Sequence, residues 1–439
     1  MYDILYIGGG LNYAGAIVAS KEGFKVALVE TSLGHLGGTC LYEGCIPSKM
    51  FLHHANTVRQ SKESVFTGKL VLDMPTLTAQ KDELIASASE SIRAQCKDVE
   101  LIEGKGKLIA PHKVEVEGKI YEAEHIVIGT GSSPFIPEGI AYDGKAIITS
   151  TELLDLQKLP DNIAIYGVGA IGLEMASFFA SAGVEVTLLS RHERLLGHAH
   201  PMIQEAMAKE LEKQGITYLT GHAVSKAEAT NRGVHITFEN GTSGEYEQML
   251  VATGRQPNTD VVATDEIAVK RGIETDDFFQ TSLKKHFAIG DCNGKIQLAH
   301  AARAQALNVT MRIMGKKPQK LNLDHVVRFI HTLPMSYATV GQNRQRLEEK
   351  GIEFQESSVM LSQFKPAAFH QAGNGVMVVY ADTSGLILGA EIFAPNAEEL
   401  IPPVAMALAG GMTVSMAQQT IMAHPTFSEA LERSYFRIG

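Results

Sequence analysis

Cysteine is scarce in this chain, with 4 residues in 439, which excludes the dense disulfide framework of a small secreted domain. The first residues, Met1-Tyr2-Asp3, lack a basic segment, so we expect no signal peptide and a cytoplasmic protein. Long apolar runs are also missing. The most apolar late stretch, residues 401–417, is interrupted by two prolines, Thr413 and Ser415, and falls short of a membrane span.

Positively charged residues are also fewer than negatively charged ones. The 49 Asp and Glu residues outnumber the 39 Lys and Arg residues, and no basic block interrupts the net charge of −10. Binding to nucleic acid or to an anionic membrane therefore has no electrostatic support. Apolar residues make up 45% of the chain, which is enough to bury a sizeable core. At roughly 150 residues per domain, the length suggests about three domains.

What the sequence does contain is one pattern that occurs twice. In the first copy, the apolar run 4–7 leads into three glycines, a helical stretch and a second apolar run, which together predict a βαβ unit. Gly8 and Gly10 occupy the first two positions of a GxGxxG dinucleotide fingerprint, whereas Tyr13 stands at the third, in a turn one residue shorter than usual. Glu30 lies where an acid that binds a ribose is expected.

The second copy begins 159 residues later and is more regular. Gly167, Gly169 and Gly172 complete the GxGxxG fingerprint between a predicted strand and a predicted helix. After the next strand, where NAD sites usually carry an acid, the chain has a serine followed by Arg191 and Arg194. Two guanidinium groups favour the 2′-phosphate of NADP(H) over NAD, the alternative being that both arginines are ordinary surface charges.

Two of the four cysteines, Cys40 and Cys45, lie close together in the sequence. In a regular helix their Cα atoms would be about 8–9 Å apart, beyond the roughly 7 Å limit for a disulfide. A bond between them requires a distorted helix start, for which Gly44 and Pro47 are suitable residues. Since so short a loop closes little chain entropy, the pair is better explained as a redox couple than as a structural disulfide. The other two cysteines are isolated, so we predict no metal site.

Other segments indicate how the chain is organised. Three apolar runs, 126–128, 249–251 and 287–289, each lead into a glycine and are typical of strands that end at a ligand crevice. After Lys316-Lys317-Pro318 no glycine fingerprint occurs, and strands alternate around one helical region. This last part predicts a separate α+β domain.

Several motifs together resemble the class I pyridine nucleotide–disulfide oxidoreductases, a family that includes lipoamide dehydrogenase, glutathione reductase and mercuric reductase. The resemblance covers essentially the whole chain, and within the family the Cys-Ile-Pro-Ser-Lys and His-Pro-Thr-Phe-Ser-Glu strings are most similar to dihydrolipoamide dehydrogenase. The segments that carry it are, in chain order, Cys40–Lys49, Thr130–Ser132, Ala252–Asn258, Ala288–Asp291 and His424–Glu429.

This resemblance implies an α/β fold with two Rossmann-like dinucleotide-binding domains, the first for FAD and the second for NADP or NAD. It also implies a C-terminal α+β dimerisation (interface) domain and therefore a homodimer. We expect the first part of the FAD-binding domain at 1–150, the NAD(P)-binding domain at 151–255, a return to the FAD-binding and central region at 256–320, and the dimerisation domain at 321–439.

The resemblance also implies roles for single residues. Cys45 would be the thiol next to the flavin, Cys40 the thiol that exchanges with substrate, and His424 the acid–base catalyst oriented by Glu429, acting on the partner subunit's cysteines. Lys49 and Glu174 would form an ion pair beside the flavin. The cofactor-binding residues are expected to be Gly8, Gly10, Glu30, Gly38, Thr39, Lys49, Thr130, Gly131, Ser132, Asp291, Gly167, Gly169, Gly172, Arg191, Arg194, Gly254 and Arg255.

The sequence thus predicts an FAD enzyme that passes two electrons between NAD(P)H and a small dithiol or disulfide. Lipoamide, including lipoamide on a carrier protein, is the nearest substrate by motif. The alternatives are an NADPH-dependent reductase of another disulfide or of a metal ion, and a redox-sensing flavoprotein without turnover. Departures from the family at Tyr42-Glu43, at Met335 and at the two arginines leave the substrate and the direction of turnover open.

Overall fold

The computed structural model describes residues 1–438. The α-helices are, in chain order, α1 (Asn12–Lys21), α2 (Gly38–Tyr42), α3 (Cys45–Ser61), α4 (Met74–Gln95), α5 (Ser150–Leu153), α6 (Ala170–Ala182), α7 (Pro201–Lys213), α8 (Ala299–Ile313), α9 (Arg344–Glu349), α10 (Lys365–Phe369), α11 (Ala397–Leu400), α12 (Pro402–Ala409), α13 (Val414–Ala417) and α14 (Ser428–Phe436).

The β-strands are, in chain order, β1 (Tyr2–Ile7), β2 (Val26–Glu30), β3 (Glu100–Glu103), β4 (Gly106–Ala110), β5 (Lys113–Val116), β6 (Lys119–Ile128), β7 (Ser132–Pro134), β8 (Ile147–Ile148), β9 (Asn162–Tyr166), β10 (Glu185–Leu189), β11 (Thr217–Leu219), β12 (Val224–Thr230), β13 (Gly233–Phe238), β14 (Ser243–Tyr246), β15 (Gln248–Val251), β16 (Arg255–Pro257), β17 (His286–Ala288), β18 (Arg328–Ile330), β19 (Ser336–Gly341), β20 (Phe354–Met360), β21 (Val376–Asp382) and β22 (Ile387–Ala394).

The chain divides into two compact units. Unit 1 comprises Met1–Met50, Thr76–Phe135 and Arg255–Leu323, and unit 2 comprises Phe51–Pro75, Ile136–Gly254 and the residues from Asp324 onward. The domain bounds predicted from the sequence remain predictions. Among the described residues, no helix is both long and apolar enough to cross a membrane.

Unit 1 is built on a seven-stranded sheet in the order β3-β2-β1-β6-β5-β4, with β17 also paired to β6. Strand β1 runs parallel to β2 and β6, with Ile4 opposite Val26 on one side and His125 on the other. Ile4 and its alternate neighbours on β1 pack on one face of the sheet against α1, whereas the intervening residues pack on the other face. Burial on both faces explains why these strands are continuous apolar runs in the sequence.

The first part of unit 2 contains the second βαβ unit. Strands β11-β10-β9-β15-β8 form a parallel sheet, and α6 connects β9 to β10. Helix α6 is capped at its C-terminus by Gly183, whose φ of +95° favours glycine and whose N–H donates to the carbonyl of Ala180. Both predicted βαβ units are therefore confirmed.

The last part of unit 2 is an antiparallel sheet in the order β18-β19-β22-β21-β20. Its strands and helices confirm an α+β domain, but the prediction of one helical region was wrong. Six helices, α9 to α14, occur here among the described residues, and each is four to nine residues long. Helices of one or two turns are too short to produce a readable 3.6-residue periodicity, so the sequence pattern did not separate them.

Candidate active site

The first glycine turn, in unit 1, follows β1. Gly8 has a φ of +99°, and a Cβ there would lie 2.4 Å from the carbonyl oxygen of Gly129, so only glycine fits. At Gly10, by contrast, a Cβ would meet no protein atom within 4 Å. Both glycines line a cavity of about 500 Å³. The other predicted cofactor-binding residues that line it are Glu30, Gly38, Thr39, Thr130 and Gly131.

The third position of this turn differs from the sequence prediction. Tyr13 does not take the role of the third glycine, because it is half-buried and packs against the core of the unit. Instead Asn12, only 1% exposed, fills the turn and donates from Nδ2 to the carbonyls of Ile7 at 3.1 Å and Gly8 at 3.0 Å. A Cβ on Gly129 would lie 2.4 Å from this Nδ2. An asparagine two residues after a glycine run, at the start of a helix, was the signal for this role.

Glu30 stands at the end of β2, on the cavity wall. Its Oε2 accepts the N–H of Gly9 at 2.5 Å, and its Oε1 accepts the N–H of Thr31 at 2.7 Å. These two bonds fix the carboxylate where a ribose hydroxyl could donate to it. Further lining residues were not predicted from the sequence. Of six such residues, three lie close to Gly38 in the chain and three come from distant loops: His35, Tyr42, Glu43, Lys105, Asn258 and Asp260.

A second group of predicted residues in unit 1 forms a hydrogen-bonded relay. The Nε of Arg255 donates to Oγ of Ser132 at 2.8 Å, and that hydroxyl donates to Oδ2 of Asp291 at 2.6 Å. Burial raises the pKa of the Asp291 carboxyl and lowers the pKa of the Arg255 guanidinium. Thr130 joins the same region, because its hydroxyl donates to the carbonyl of Asn258 at 2.6 Å.

Cys40 and Cys45, the predicted redox pair, flank a break between two helices. Helix α2 ends before Glu43, and α3 begins at Cys45, so the helix is interrupted as predicted. Glycine is required at the break, because a Cβ on Gly44 would lie 2.9 Å from the carbonyl oxygen of Thr39. No disulfide is formed among the described cysteines, and the pair is present as two thiols.

The environment of Cys40 opposes its ionisation. A hydrogen bond with Cys45, together with burial, raises the pKa of the Cys40 thiol well above its usual value, and the charge of Lys49 opposes this increase. Cys96 and Cys292 are buried elsewhere in unit 1, and burial raises the pKa of Cys292 to about 11. The Cys292 thiol also donates to the carbonyl of Ile289 at 3.1 Å.

The second glycine turn, in unit 2, follows β9. A Cβ on Gly167 would lie 2.2 Å from the carbonyl oxygen of Ala252, and a Cβ on Gly172 would lie 1.9 Å from that of Gly167. Gly169, like Gly10, faces open space. The close contacts that GxGxxG requires are thus present at the first and third glycines.

The remaining residues of unit 2 that were predicted to bind nucleotide are exposed or face open space. Arg191 and Arg194 are both exposed in the loop after β10, as a group that recognises phosphate requires. Gly254 has a φ of +124°, and a Cβ there would meet no protein atom within 4 Å.

Glu174, on α6, is 5% exposed, and its Oε1 accepts the N–H of His331 at 2.9 Å. Its predicted ion-pair partner, Lys49, is a half-buried residue of unit 1 on α3. The pairing of Lys49 with Glu174 stays a prediction. Met335, the departure from the family noted above, is fully buried in unit 2.

The C-terminal motif forms a histidine–carboxylate pair in unit 2. Nδ1 of His424 lies 2.8 Å from Oε2 of Glu429, whose Oε1 accepts the N–H of Thr426 at 2.8 Å. The hydrogen bond from His424 lowers the pKa of Glu429, which keeps this carboxylate ionised. The imidazole is 74% exposed, so Nε2 can exchange a proton with a ligand. Its action on the cysteines stays a prediction.

Comparison with known proteins assigns the family. The model of the pyridine nucleotide-disulphide oxidoreductases matches residues 2–306, and the model of their dimerisation domain matches residues 327–435. The chain belongs to the pyridine nucleotide-disulphide oxidoreductase family. It is therefore a flavoprotein oxidoreductase with a disulfide redox centre that depends on FAD and NAD(P)H. The predicted family, fold class and cofactors are confirmed, and the dimerisation domain supports a homodimer.

Individual relatives have different names. A mercuric reductase of Lysinibacillus sphaericus is 33% identical over 98% of this chain and 81% of its own length. A dihydrolipoyl dehydrogenase of Chlamydia muridarum is 31% identical over 99% of this chain and 96% of its own length. The crystal structure of LpdA from Mycobacterium tuberculosis matches with a TM-score of 0.91 and 25% identity, covering 100% of this chain and 99% of that one.

The residues of unit 1 fit FAD. The open side of Gly10 leaves the backbone at the start of α1 accessible, and a helix start of this kind binds a pyrophosphate. Glu30 would supply the carboxylate for a ribose. Ser132, Arg255 and Asp291, which lie far apart in the sequence, form a hydrogen-bonded group of polar side chains in the same unit. The bound group would supply transfer of two electrons to and from a nicotinamide nucleotide.

Proposed function

We propose that the protein is a homodimeric, cytoplasmic oxidoreductase that moves two electrons between NADPH and a small dithiol or disulfide of the lipoamide type. The observation that carries the proposal is the pair of adjacent thiols, Cys40 and Cys45, at a helix break in the unit that holds the glycine-lined cavity. A pair held this close can alternate between dithiol and disulfide without unfolding its surroundings.

The chemistry is thiol–disulfide exchange. A substrate dithiol attacks the Cys40–Cys45 disulfide through a mixed disulfide, and the substrate leaves as a disulfide while both cysteines become thiols, with two electrons and two protons transferred. In the reverse direction, Cys40 attacks the substrate disulfide, and because its pKa is raised it needs a base to become a nucleophilic thiolate. In the proposal, Nε2 of His424 accepts this proton and returns it, and Glu429 stabilises the imidazolium.

The nucleotide preference is the second part of the proposal. Arg191 and Arg194 are exposed guanidinium groups in the loop after β10, and no carboxylate lies between the end of β10 and Arg191. A bidentate contact from either arginine would bind the 2′-phosphate that distinguishes NADPH from NADH. The proposed nucleotide is therefore NADP(H).

Reduction of a metal ion is the second candidate, and the relative named mercuric reductase favours it. The only other thiols, Cys96 and Cys292, are buried and supply no second pair for a metal. A sensor without turnover is disfavoured by the His424–Glu429 pair, since a switch needs no proton shuttle.

The test is turnover by the purified holoenzyme with NADPH and NADH against lipoamide, glutathione disulfide and mercuric salt, and with dihydrolipoamide in the reverse direction. We expect lipoamide with NADPH to give the highest kcat/KM. His424→Gln should lower this turnover by about 10²–10⁴-fold, the usual contribution of a general acid–base. Cys40→Ser should abolish it, whereas Cys96→Ala, the matched control at a buried thiol, should not. Turnover of mercuric salt without turnover of lipoamide would favour the second candidate instead.

A further inference from the structure

The loop that carries the two arginines, residues 190–200, is held at both ends. At its start, the N–H of Ser190 donates to the carbonyl of Leu219 at 3.0 Å, and the carbonyl of Ser190 accepts the N–H of His222 at 2.8 Å. These bonds belong to the edge of the parallel sheet. The other end of the loop is held by residues that lie far away in the sequence.

The first of these anchors is Asn343, in the turn before α9. Its Nδ2 donates to the carbonyl of His198 at 2.6 Å, and its Oδ1 caps α9 by accepting the N–H of Arg346 at 3.1 Å. On the same helix, Oε1 of Gln345 accepts a hydrogen bond from Nδ1 of His198 at 2.9 Å. Asn343 lies in the dimerisation domain, whereas the loop lies in the nucleotide-binding part of the chain.

The second anchor is Glu391, on the central strand β22. It is fully buried, and its Oε1 accepts the backbone N–H of His200 at 3.1 Å. The hydroxyls of Tyr337 and Tyr380 donate to the same carboxylate at 2.7 Å and 2.6 Å. Both tyrosines are diagonal neighbours of Glu391 on the adjacent strands, so all three side chains share one face of the sheet.

A buried carboxylate is costly unless every oxygen is hydrogen-bonded. Two donors to Glu391 come from its own sheet, and the third comes from the loop, so this site is complete only when His200 is in place. His200 also caps α7, because its Nδ1 accepts the N–H of Met202 at 3.3 Å. The end of the loop and the start of α7 are therefore positioned together.

We propose that Asn343 and Glu391 are positioning residues for nucleotide specificity, which act by holding loop 190–200 in the conformation that presents Arg191 and Arg194 to a 2′-phosphate. The inference rests on the proposed role of the arginines. A loop ordered before binding loses less conformational entropy when the nucleotide arrives, and its affinity is higher for that reason. The dimerisation domain thereby contributes to the choice of nucleotide without touching it.

The test is Asn343→Ser in the full-length holoenzyme. Serine is as good an N-cap as asparagine, so α9 keeps its cap, but the short side chain cannot reach the carbonyl of His198. We expect the KM for NADPH to rise about three- to tenfold, the effect of one lost hydrogen bond, with kcat at saturating NADPH within twofold of wild type. The KM for NADH should change less, because NADH has no 2′-phosphate.

Two further variants complete the design. Tyr337→Phe removes one donor to Glu391 and should shift the KM for NADPH in the same direction by about two- to threefold. Thr413→Ala removes the N-cap of α13, which does not contact the loop, and should leave both KM values unchanged.

Equal KM values for Asn343→Ser and wild type, or equal increases for NADPH and NADH, would overturn the inference. The variant Arg191→Ala distinguishes failure of the positioning role from failure of the proposed nucleotide preference. If Arg191→Ala weakens the binding of NADPH and Asn343→Ser does not, only the positioning role fails. If Arg191→Ala leaves the binding of NADPH unchanged, the proposed nucleotide preference fails and the positioning role fails with it.

Discussion

The two glycine turns follow strands of similar sequence but are packed differently. After β9, close packing is obtained by removing side chains, and Gly172 leaves no room even for a methyl group. After β1, a fully buried side chain, Asn12, occupies the tight part of the turn and bonds to the backbone. A chain that lacks the third glycine of the fingerprint can therefore still form the turn, because a hydrogen-bonded asparagine can replace the close backbone contact that this glycine permits.

The largest effect that we expect comes from Gly172→Ala. The new Cβ would lie 1.9 Å from a backbone oxygen, which cannot move aside as a flexible side chain can. Overpacking of this kind typically costs 1–3 kcal/mol, and against backbone we expect about 4 kcal/mol or more. The measurement is the free energy of unfolding of the purified variant in urea.

Gly10→Ala is the matched control in the other turn, because its Cβ would meet no protein atom within 4 Å. We expect its apoprotein to unfold like the wild type while FAD content falls. An equal loss of stability in the two variants would contradict the difference drawn between the turns.

The second prediction concerns the stability of unit 1 at acidic pH. His286 is fully buried in this unit, on β17. Burial lowers the pKa of His286 to about 4, its Nε2 accepts the N–H of His112, and the charges of His112 and His125 act in the same direction as burial. Because the unfolded state binds the proton at about pH 6.5, stability is fully present above that pH and falls as pH decreases towards 4. The expected loss is about 3 kcal/mol.

Urea unfolding between pH 7.5 and 4.5 measures this loss. His286→Gln should make the free energy of unfolding less dependent on pH, whereas His53→Gln, at an exposed position, should not. The assignment would be wrong if the two variants showed the same slope as wild type.

The third and smallest effect concerns the nucleotide. A charge-assisted contact to phosphate contributes roughly 1.5–3 kcal/mol, so Arg191→Ala should weaken NADPH by about 10- to 100-fold and leave NADH nearly unchanged. Titration of the oxidised enzyme with each nucleotide measures these changes in affinity. Glu30→Gln is the counterpart in the first turn and should lower FAD affinity without changing the preference between nucleotides. Equal losses for both nucleotides would mean that Arg191 does not bind the 2′-phosphate.

Much of the fold could be predicted because it depends on local patterns. The apolar runs of β1, β2, β9 and β10 and the glycines after them are visible in short windows. The helix break at Gly44 followed from the geometry that two nearby cysteines require. By contrast, the roles of Lys105 and Asp260 in the cavity wall depend on loops that only the folded sheet brings together. The same is true of Asn343 and His198, which are 145 residues apart.

The burial of Cys96 and Cys292 has a practical consequence. These two thiols are 1% and 0% exposed, and burial raises the pKa of both, so they are poor nucleophiles in the folded protein. The predicted redox pair, Cys40 and Cys45, therefore has no accessible competing thiol in the chain with which to exchange during repeated oxidation and reduction. A thiol-alkylating reagent applied to the native enzyme is therefore expected to label Cys45, which is exposed, faster than Cys40, whose pKa is raised, and to label neither while they form a disulfide, so that the mass of the labelled chain reports the redox state of this pair.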